Sequence, residues 1–187
     1  LAALDAQDKT SFIYDSQGNL ITDYKGTEDR IMVSIDEIPE MLQNAFIAVE
    51  DARFYTHNGV DIKRIIGAFV SNLSSSSTQG GSTITQQVIK NATGNNQPTI
   101  KRKVTEIFQA LRFYKNYSRE ETLTFYLNLV YFGNGCNGIE AAAEGYFGKT
   151  VGELSIAEAA SIVGITQFPY KYDPSRGDWY REQNKER

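Results

Sequence analysis

Residues 118–131 read SREETLTFYLNLVY, and this stretch indicates the class of the fold. Ser118 and Glu121, three positions apart, form a capping box, which is a common start of an α-helix. The segment that follows, Leu123–Tyr131, is apolar on nearly every side, and a helix of that composition is expected to be buried. The stretch therefore predicts a buried helix and favours a mainly α fold.

Helical patterns lie on both sides of this stretch. A second capping box, Ser155 with Glu158, precedes the apolar segment Ile156–Ile165. Pro39 suits a first helical position, and the helix it opens is expected to end near Asp51. That helix carries an apolar stripe of Met41, Leu42, Ala45, Ala48 and Val49, and a later helix carries one of Ile100, Val104, Ile107, Phe108 and Leu111. The other predicted helices are 62–73, 82–91 and 139–147.

The first thirty residues follow a different pattern. Ser11–Tyr14 and Leu20–Tyr24 flank a turn that contains Gly18, which predicts a β-hairpin. We therefore expect an N-terminal linker with a small β-hairpin appendage over residues 1–30 and one α domain over residues 31–187.

Composition narrows the classes of function. The 187 residues suffice for one domain with a packed core, and 19 Lys and Arg against 23 Asp and Glu argue against a general nucleic-acid binder. Cys136 is the single cysteine and His57 the single histidine, which excludes an internal disulfide and a multi-histidine metal site. No apolar stretch is long enough to span a bilayer, and residues 1–9 do not have the pattern of a signal peptide.

Residues 50–61, EDARFYTHNGVD, form the first candidate site. Glu50 and Asp51 are adjacent carboxylates at the end of a predicted helix, and Phe54 and His57 follow. Desolvation by an aromatic neighbour could raise the pKa of a carboxylate there and make it a general base. A solvated helix end with a capping aspartate and a structurally bonded histidine is the other interpretation, and composition alone favours it.

Residues 80–91, GGSTITQQVIKN, form the second candidate site. At 100° per residue, Thr83, Gln87, Lys90 and Asn91 fall on one face of the predicted helix. A glycine pair that leads into such a helix is typical of an anion or phosphate site. A polar, solvent-facing helix behind a flexible linker explains the pattern equally well.

Arg102 and Glu106 form the third candidate, with Lys101 and Lys103 beside them. They lie opposite the apolar stripe of their helix, and an isolated pair of this kind is usually a solvent-facing ion pair of little energetic weight. The presence of the other two candidate motifs changes this interpretation. Two carboxylate sites, a face of hydroxyls and amides, and a basic cluster are what glycosyl transfer from a diphosphate donor would require.

In this order, the motifs resemble the peptidoglycan glycosyltransferase domain of class A penicillin-binding proteins and monofunctional transglycosylases. The matching stretches are 50–61, 80–91, 102–106, 126–143 and 154–169. Linked motifs in a fixed order are far more specific than any one of them.

The resemblance implies a lysozyme-like α fold and an inverting transferase that polymerises lipid II into β-1,4 glycan strands and releases undecaprenyl diphosphate. It implies that Glu50 is the general base and that Glu106 is a second catalytic carboxylate on the diphosphate side. The resemblance leaves open whether Mg²⁺ or Mn²⁺ binds near Glu106, and it implies no organic cofactor. The implied substrate-binding residues are Asp51, Phe54, His57, Ser82, Thr83, Gln87, Lys90, Asn91, Arg102 and Lys103.

The same resemblance implies partners and a location. Lipid II, the growing glycan strand and a membrane surface would be the partners, and nucleic acid would not. Residues 62–79 would form a mobile, membrane-facing flap at the extracytoplasmic face of the bacterial cytoplasmic membrane. A transmembrane anchor and a transpeptidase domain would lie outside this chain, and the domain would be clipped at Arg187.

Two alternatives stay open. A lysozyme-like glycan hydrolase or lytic transglycosylase would also use two carboxylates, but it has no diphosphate for Lys90, Arg102 and Lys103 to neutralise. A non-catalytic, membrane-associated cell-wall scaffold would be free to lose Glu50 and Glu106, and both are present.

Overall fold

The computed structural model describes residues 11–14, 16–24, 31–74, 80–94 and 97–187, and these are mainly helical, as predicted. They form two compact units, Gln43–Tyr126 and the combination of Leu1–Leu42 with Leu127–Arg187. The elements are β1 (Ser11–Tyr14), β2 (Leu20–Tyr24), α1 (Glu40–Glu50), α2 (Ile62–Ser74), α3 (Ile84–Thr93), α4 (Ile100–Tyr114), α5 (Arg119–Leu129), α6 (Ile139–Phe147), α7 (Ile156–Ile165), α8 (Pro169–Tyr172) and α9 (Asp178–Glu186), with 3₁₀ turns at Ile35–Glu37, Val151–Glu153 and Pro174–Arg176.

The strands β1 and β2 pair antiparallel, with Ser11 opposite Tyr24 and an irregularity between Ile13 and Tyr14. Between them, Gly18 has φ of 85°, which glycine adopts without steric cost. The boundary at residue 30 and the lysozyme-like character of the rest stay predictions. Residues 75–79 of the predicted flap, which include most of its serine-rich run, lie outside the described residues.

Helix α1 ends at Glu50, close to the predicted position, but its buried face differs from the predicted stripe. Leu42, Phe46 and Ile47 are buried, whereas Met41 and Val49 are each 40% exposed. The prediction left out Phe46 and Ile47. Burial of these large side chains removes more apolar surface from water, so they determine which face of the helix is buried.

Helix α4 presents its apolar stripe outward, which rules out the alternative interpretation of Arg102 and Glu106 as a solvent-facing ion pair. Ile100 is 85% and Phe108 68% exposed, whereas Glu106 and Ala110 are buried. Periodicity identifies the two faces of a helix but does not say which one meets water. The polar face turns inward here because Glu106 finds hydrogen-bond partners that compensate its burial.

The two predicted capping boxes are present at α5 and α7. The Ser118 N–H donates to Glu121 Oε2 at 2.7 Å, and Ser155 is paired with Glu158 in the same way. Hydrogen bonds from Lys149 and Ser155 lower the pKa of Glu158 to about 2. The segments behind the boxes are largely buried, although Ile156 is 75% exposed, against the expectation.

Asn128 of α5 takes the place of a strand partner for Val33. Its Nδ2 donates to the Val33 carbonyl at 2.8 Å, and its Oδ1 accepts from the Val33 N–H at 2.9 Å. Asn128 is fully buried, so one side-chain amide satisfies both backbone groups of an extended residue. Within the described ranges, no helix is both long and apolar enough to cross a bilayer.

Candidate active site

The turn after α1 is organised around Asp51, which is fully buried. His57 Nε2 lies 2.9 Å from Asp51 Oδ2 and donates to it, because a carboxylate can only accept. The same carboxylate accepts the backbone N–H of Ile84, the first residue of α3, at 2.9 Å. Asp51 and His57 therefore tie the turn to the start of α3, and their role in substrate binding stays a prediction.

Gly59 brings this turn against α4. It has φ of 81°, and a Cβ at this position would lie 2.9 Å from the Ala110 carbonyl oxygen and 2.9 Å from Tyr114 Cβ. The Gly59 carbonyl also accepts from Thr83 Oγ1 at 2.7 Å. Only a residue without a side chain allows this approach, so Gly59 positions the turn relative to both α3 and α4.

Helix α2 begins at a buried aspartate. Asp61 accepts from the Arg64 N–H at 3.0 Å and from Arg53 Nε at 2.7 Å. Burial alone would raise the pKa of Asp61, but these hydrogen bonds outweigh it and hold the pKa below its ordinary value. Arg64 also donates to the carbonyls of Glu50 and Gly80, so α2 is fastened to both ends of the site.

Helix α3 starts with a capping box that the sequence analysis missed. Thr83 Oγ1 accepts from the Gln86 N–H at 3.2 Å, and Gln86 Oε1 accepts from the Thr83 N–H at 3.1 Å. The signal was present as Thr-x-x-Gln at positions 83–86. The Thr83 hydroxyl, predicted to line the donor site, is buried and bonded within the scaffold.

The carboxylate of Glu106 is buried among donors. Gln86 Nε2 donates to Glu106 Oε1 at 3.0 Å, Lys103 forms an ion pair with the same oxygen, and Arg102 forms one with Oε2. Lys103 also donates to Ser82 Oγ at 2.7 Å. A buried carboxylate is tolerated when it is paired in this way, and the two cations leave the cluster with a net positive charge.

Glu50 is held by the next residue of α3, which points about 100° away from Gln86. Its Oε2 accepts from Gln87 Nε2 at 2.9 Å, and the residue is partly exposed. Gln87 directly follows Gln86, so adjacent side chains of one helix hold the two predicted catalytic carboxylates.

A cavity of about 310 Å³ lies between α3 and α4. Its lining includes the cations Lys90 and Arg102 and the carboxylate of Glu106. A cavity of this size and charge suits a phosphorylated group. Two predicted binding residues do not line this cavity: Asn91 is half-buried, and Phe54 packs edge-on against His57. The other described lining residues are Ile89, Thr93, Gln97, Thr99, Lys101, Thr105 and Gln109.

The donors around Glu106 do not fit a resident metal. Both oxygens of this carboxylate are already engaged by a cation, and the described residues contain no group of three His, Cys, Asp or Glu that could hold an ion. Mg²⁺ prefers several oxygen ligands that are free of competing cations.

Residues 17–187 match the family model described as Transglycosylase. The chain belongs to the transglycosylase family. Penicillin-binding protein 1A/1B of Bacillus subtilis (strain 168) is 47% identical to it over 167 residues, 88% of this chain and 18% of that protein. Penicillin-binding protein 1A of Clostridium perfringens (strain 13 / Type A) is 43% identical over 176 residues, 91% of this chain and 26% of that protein.

This transglycosylase domain therefore spans only about a quarter, or less, of the length of these relatives. A crystal structure of penicillin-binding protein 1A from Haemophilus influenzae covers 96% of this chain, with 22% identity and a TM-score of 0.44, a distant likeness. Gln86 is the residue of the candidate site that sequence reasoning passed over, since of the two adjacent glutamines only Gln87 fell on the predicted polar face.

Proposed function

We propose that this chain is the catalytic domain of a peptidoglycan glycosyltransferase. It polymerises lipid II into β-1,4 glycan strands, inverts the donor MurNAc C1 and releases undecaprenyl diphosphate. The observation that carries the proposal is the pairing of Glu50 and Glu106 with adjacent amides of α3, with two cations on the Glu106 side. Membership of the transglycosylase family supports the same activity.

Glu50 is the general base of the proposed reaction. The 4-hydroxyl of the acceptor GlcNAc is a poor nucleophile, so a positioned carboxylate has to take its proton during attack on the donor carbon. Gln87 holds Glu50 at one oxygen, which fixes the direction of the carboxylate while the residue stays partly exposed.

The cations beside Glu106 serve the leaving group. A diphosphate leaves readily once its charge is balanced, and preorganised cations provide that balance without rearrangement. Arg102 and Lys103 are held in place by Glu106, and Lys90 faces the same cavity. In this proposal Glu106 orients the cations, and the divalent ion left open by the sequence is not required.

The wider context follows the family. The catalytic domain acts at the extracytoplasmic face of the bacterial cytoplasmic membrane, with lipid II, the growing glycan strand and the membrane surface as partners. Residues 62–74, the described part of the predicted flap, face the membrane in a lysozyme-like fold. The greater length of the relatives supports an anchor and a transpeptidase domain beyond this chain.

Incubation with purified lipid II, followed by separation of the products by length, tests the proposal. Long strands are expected, and they should also form when a chelator replaces Mg²⁺. Glu50→Gln should abolish polymerisation while binding of a phosphoglycolipid inhibitor of the moenomycin type is retained. Undiminished turnover in that variant would refute the role of Glu50 as general base. Digestion of preformed glycan would favour a hydrolase.

A further inference from the structure

Tyr126 of helix α5 carries a hydroxyl group that the scaffold does not use. The side chain is fully buried, and its hydroxyl has no hydrogen-bond partner among the described residues. A buried hydroxyl without a partner destabilises the folded state, and a phenylalanine ring would fill the same space without that cost. The hydroxyl therefore indicates a role beyond packing.

The packing of the Tyr126 ring brings this hydroxyl near Glu50. The ring lies edge-on against Phe46 of α1, with 6.1 Å between the ring centroids and an angle of 72° between the planes. Phe46 and Glu50 are four residues apart in α1, so they share one face of that helix. Burial and, to a lesser extent, the negative charge of Glu50 raise the pKa of Tyr126 well above its ordinary value. The phenol therefore keeps its proton at neutral pH and can act as a donor.

We propose that Tyr126 is a positioning residue whose hydroxyl donates a hydrogen bond to the carboxylate of Glu50 in the reacting complex. This role rests on the proposed function, in which Glu50 takes the proton of the acceptor hydroxyl. Gln87 Nε2 donates to Glu50 Oε2 at 2.9 Å, and a carboxylate has about four acceptor positions, enough for a second donor and the substrate. Donors from two helices, α3 and α5, fix the plane of the carboxylate, whereas one hydrogen bond fixes only its direction.

Entry of the acceptor sugar determines when this hydrogen bond forms. Hydrogen bonds of catalytic groups are often long before the substrate binds and shorten in the reacting complex. Glu50 is partly exposed, and a sugar bound over it removes water from its carboxylate. Desolvation disfavours the charged form, and a hydrogen bond donated to the charged form favours it. The Tyr126 hydroxyl thus keeps Glu50 ionised, as a general base has to be.

The pH dependence of glycan synthesis by Tyr126→Phe tests this role. The variant keeps the ring and loses only the hydroxyl, so it should melt at the wild-type temperature or above it. Its kcat on lipid II should fall at least about tenfold with little change in KM, because the base is less well positioned. The acidic limb of the kcat profile should move up by about one pH unit. Charged or titratable groups near Glu50 include Asp51, His57 and Arg64, and the variant leaves them in place.

Tyr146→Phe is the matched control, because the hydroxyl of Tyr146 has a scaffold partner. It donates to the Phe132 carbonyl at 2.9 Å. Loss of this hydroxyl should lower the melting temperature and leave the pH profile of kcat unchanged. An unchanged acidic limb in Tyr126→Phe, or the same shift in both variants, would overturn the positioning role. A melting temperature of Tyr126→Phe well below that of the wild type would also overturn it, because the hydroxyl would then serve the scaffold.

A spectroscopic measurement separates this role from the proposed function. If the wild type makes no glycan, the proposed function fails, and the contact between Tyr126 and Glu50 is still testable. In protein labelled with ¹³C at the glutamate carboxyl groups, Glu50→Gln identifies the Glu50 signal. Tyr126→Phe should move that signal at pH 7, and Tyr146→Phe should not. A signal at the wild-type position in Tyr126→Phe would overturn the contact.

Discussion

Gln86 and Gln87 are adjacent in α3, yet their side-chain amides donate to different carboxylates. Gln86 Nε2 lies 3.0 Å from Glu106 Oε1, and Gln87 Nε2 lies 2.9 Å from Glu50 Oε2. Neighbours on a helix point about 100° apart, so a single residue step of α3 acts as a spacer between the two groups. A change that tilts the start of α3 should therefore disturb both carboxylates together.

The two glutamines should respond differently to substitution. Gln86→Leu leaves the Thr83 N–H and Glu106 Oε1 each short of a buried partner, and we expect a loss of about 1–3 kcal/mol in the free energy of unfolding, together with lower turnover. Gln87→Leu, at a partly exposed site, should lower turnover with a change in stability below about 0.5 kcal/mol. Urea unfolding and lipid II polymerisation measure the two effects; wild-type stability of Gln86→Leu would contradict the spacer role.

The cations near the cavity should separate into two kinds. Lys90 is exposed, so Lys90→Ala should weaken donor binding and leave thermal stability unchanged. Arg102→Ala should weaken donor binding and also cost about 1–3 kcal/mol, because it removes one of the two cations paired with buried Glu106. Donor titration and denaturant unfolding on the same samples make the comparison; wild-type donor affinity in either variant would contradict the diphosphate role.

Gly59 and Gly94 form a matched pair for backbone geometry. Both have positive φ, 81° and 62°, but only Gly59 has neighbours within 3 Å of an added Cβ. Gly94→Ala should cost roughly 1 kcal/mol through backbone strain alone. Gly59→Ala should cost about 1–3 kcal/mol more, because the turn must move away from α4. Equal melting temperatures of the two variants would show that the turn is not pressed against that helix.

Glu140 should make stability depend on pH. Burial raises its pKa, repulsion from Glu144, Glu37 and Glu153 adds to this, and the hydrogen bond from the Val151 N–H offsets part of it. A carboxyl whose pKa is raised in the folded state contributes stability below the unfolded pKa, and this is lost as pH rises toward the folded pKa.

Glu140→Gln should therefore raise the melting temperature at pH 7, and the gain should shrink near pH 3, where the wild-type carboxyl is protonated in both states. Glu120→Gln, at an exposed position of α5, is the control and should show no such pH-dependent gain. A gain of equal size at both pH values would argue against a buried charge as the cause.

Local patterns predicted most of the helices. The capping boxes at Ser118 and Ser155 start helices in the structure, and α1 ends at Glu50, near the predicted position. The orientation of α4 could not be predicted from its own residues. It depends on Gln86, twenty positions earlier, which offers the buried Glu106 a hydrogen bond that the α4 segment cannot provide.

The candidate site shows the same division. The residue types and spacings of Glu50, Lys90 and Glu106 pointed to carboxylate and diphosphate chemistry before any geometry was available. The different contacts of Gln86 and Gln87 could not be predicted from the sequence, because the Gln86 side chain makes both the capping box and the hydrogen bond to Glu106. A polar residue that serves the scaffold at one atom and the site at another carries no separate signal in a linear pattern.

The double hydrogen bond between Val33 and Asn128 has a mechanical consequence. A pull on the chain from the N-terminal side of Val33 would reach two hydrogen bonds anchored near the C-terminal end of the buried helix α5. Both hydrogen bonds would share the force, and it would be transmitted to the buried helix α5 before it could unfold the start of α1. Asn128 thus transfers tension at Val33 directly to helix α5.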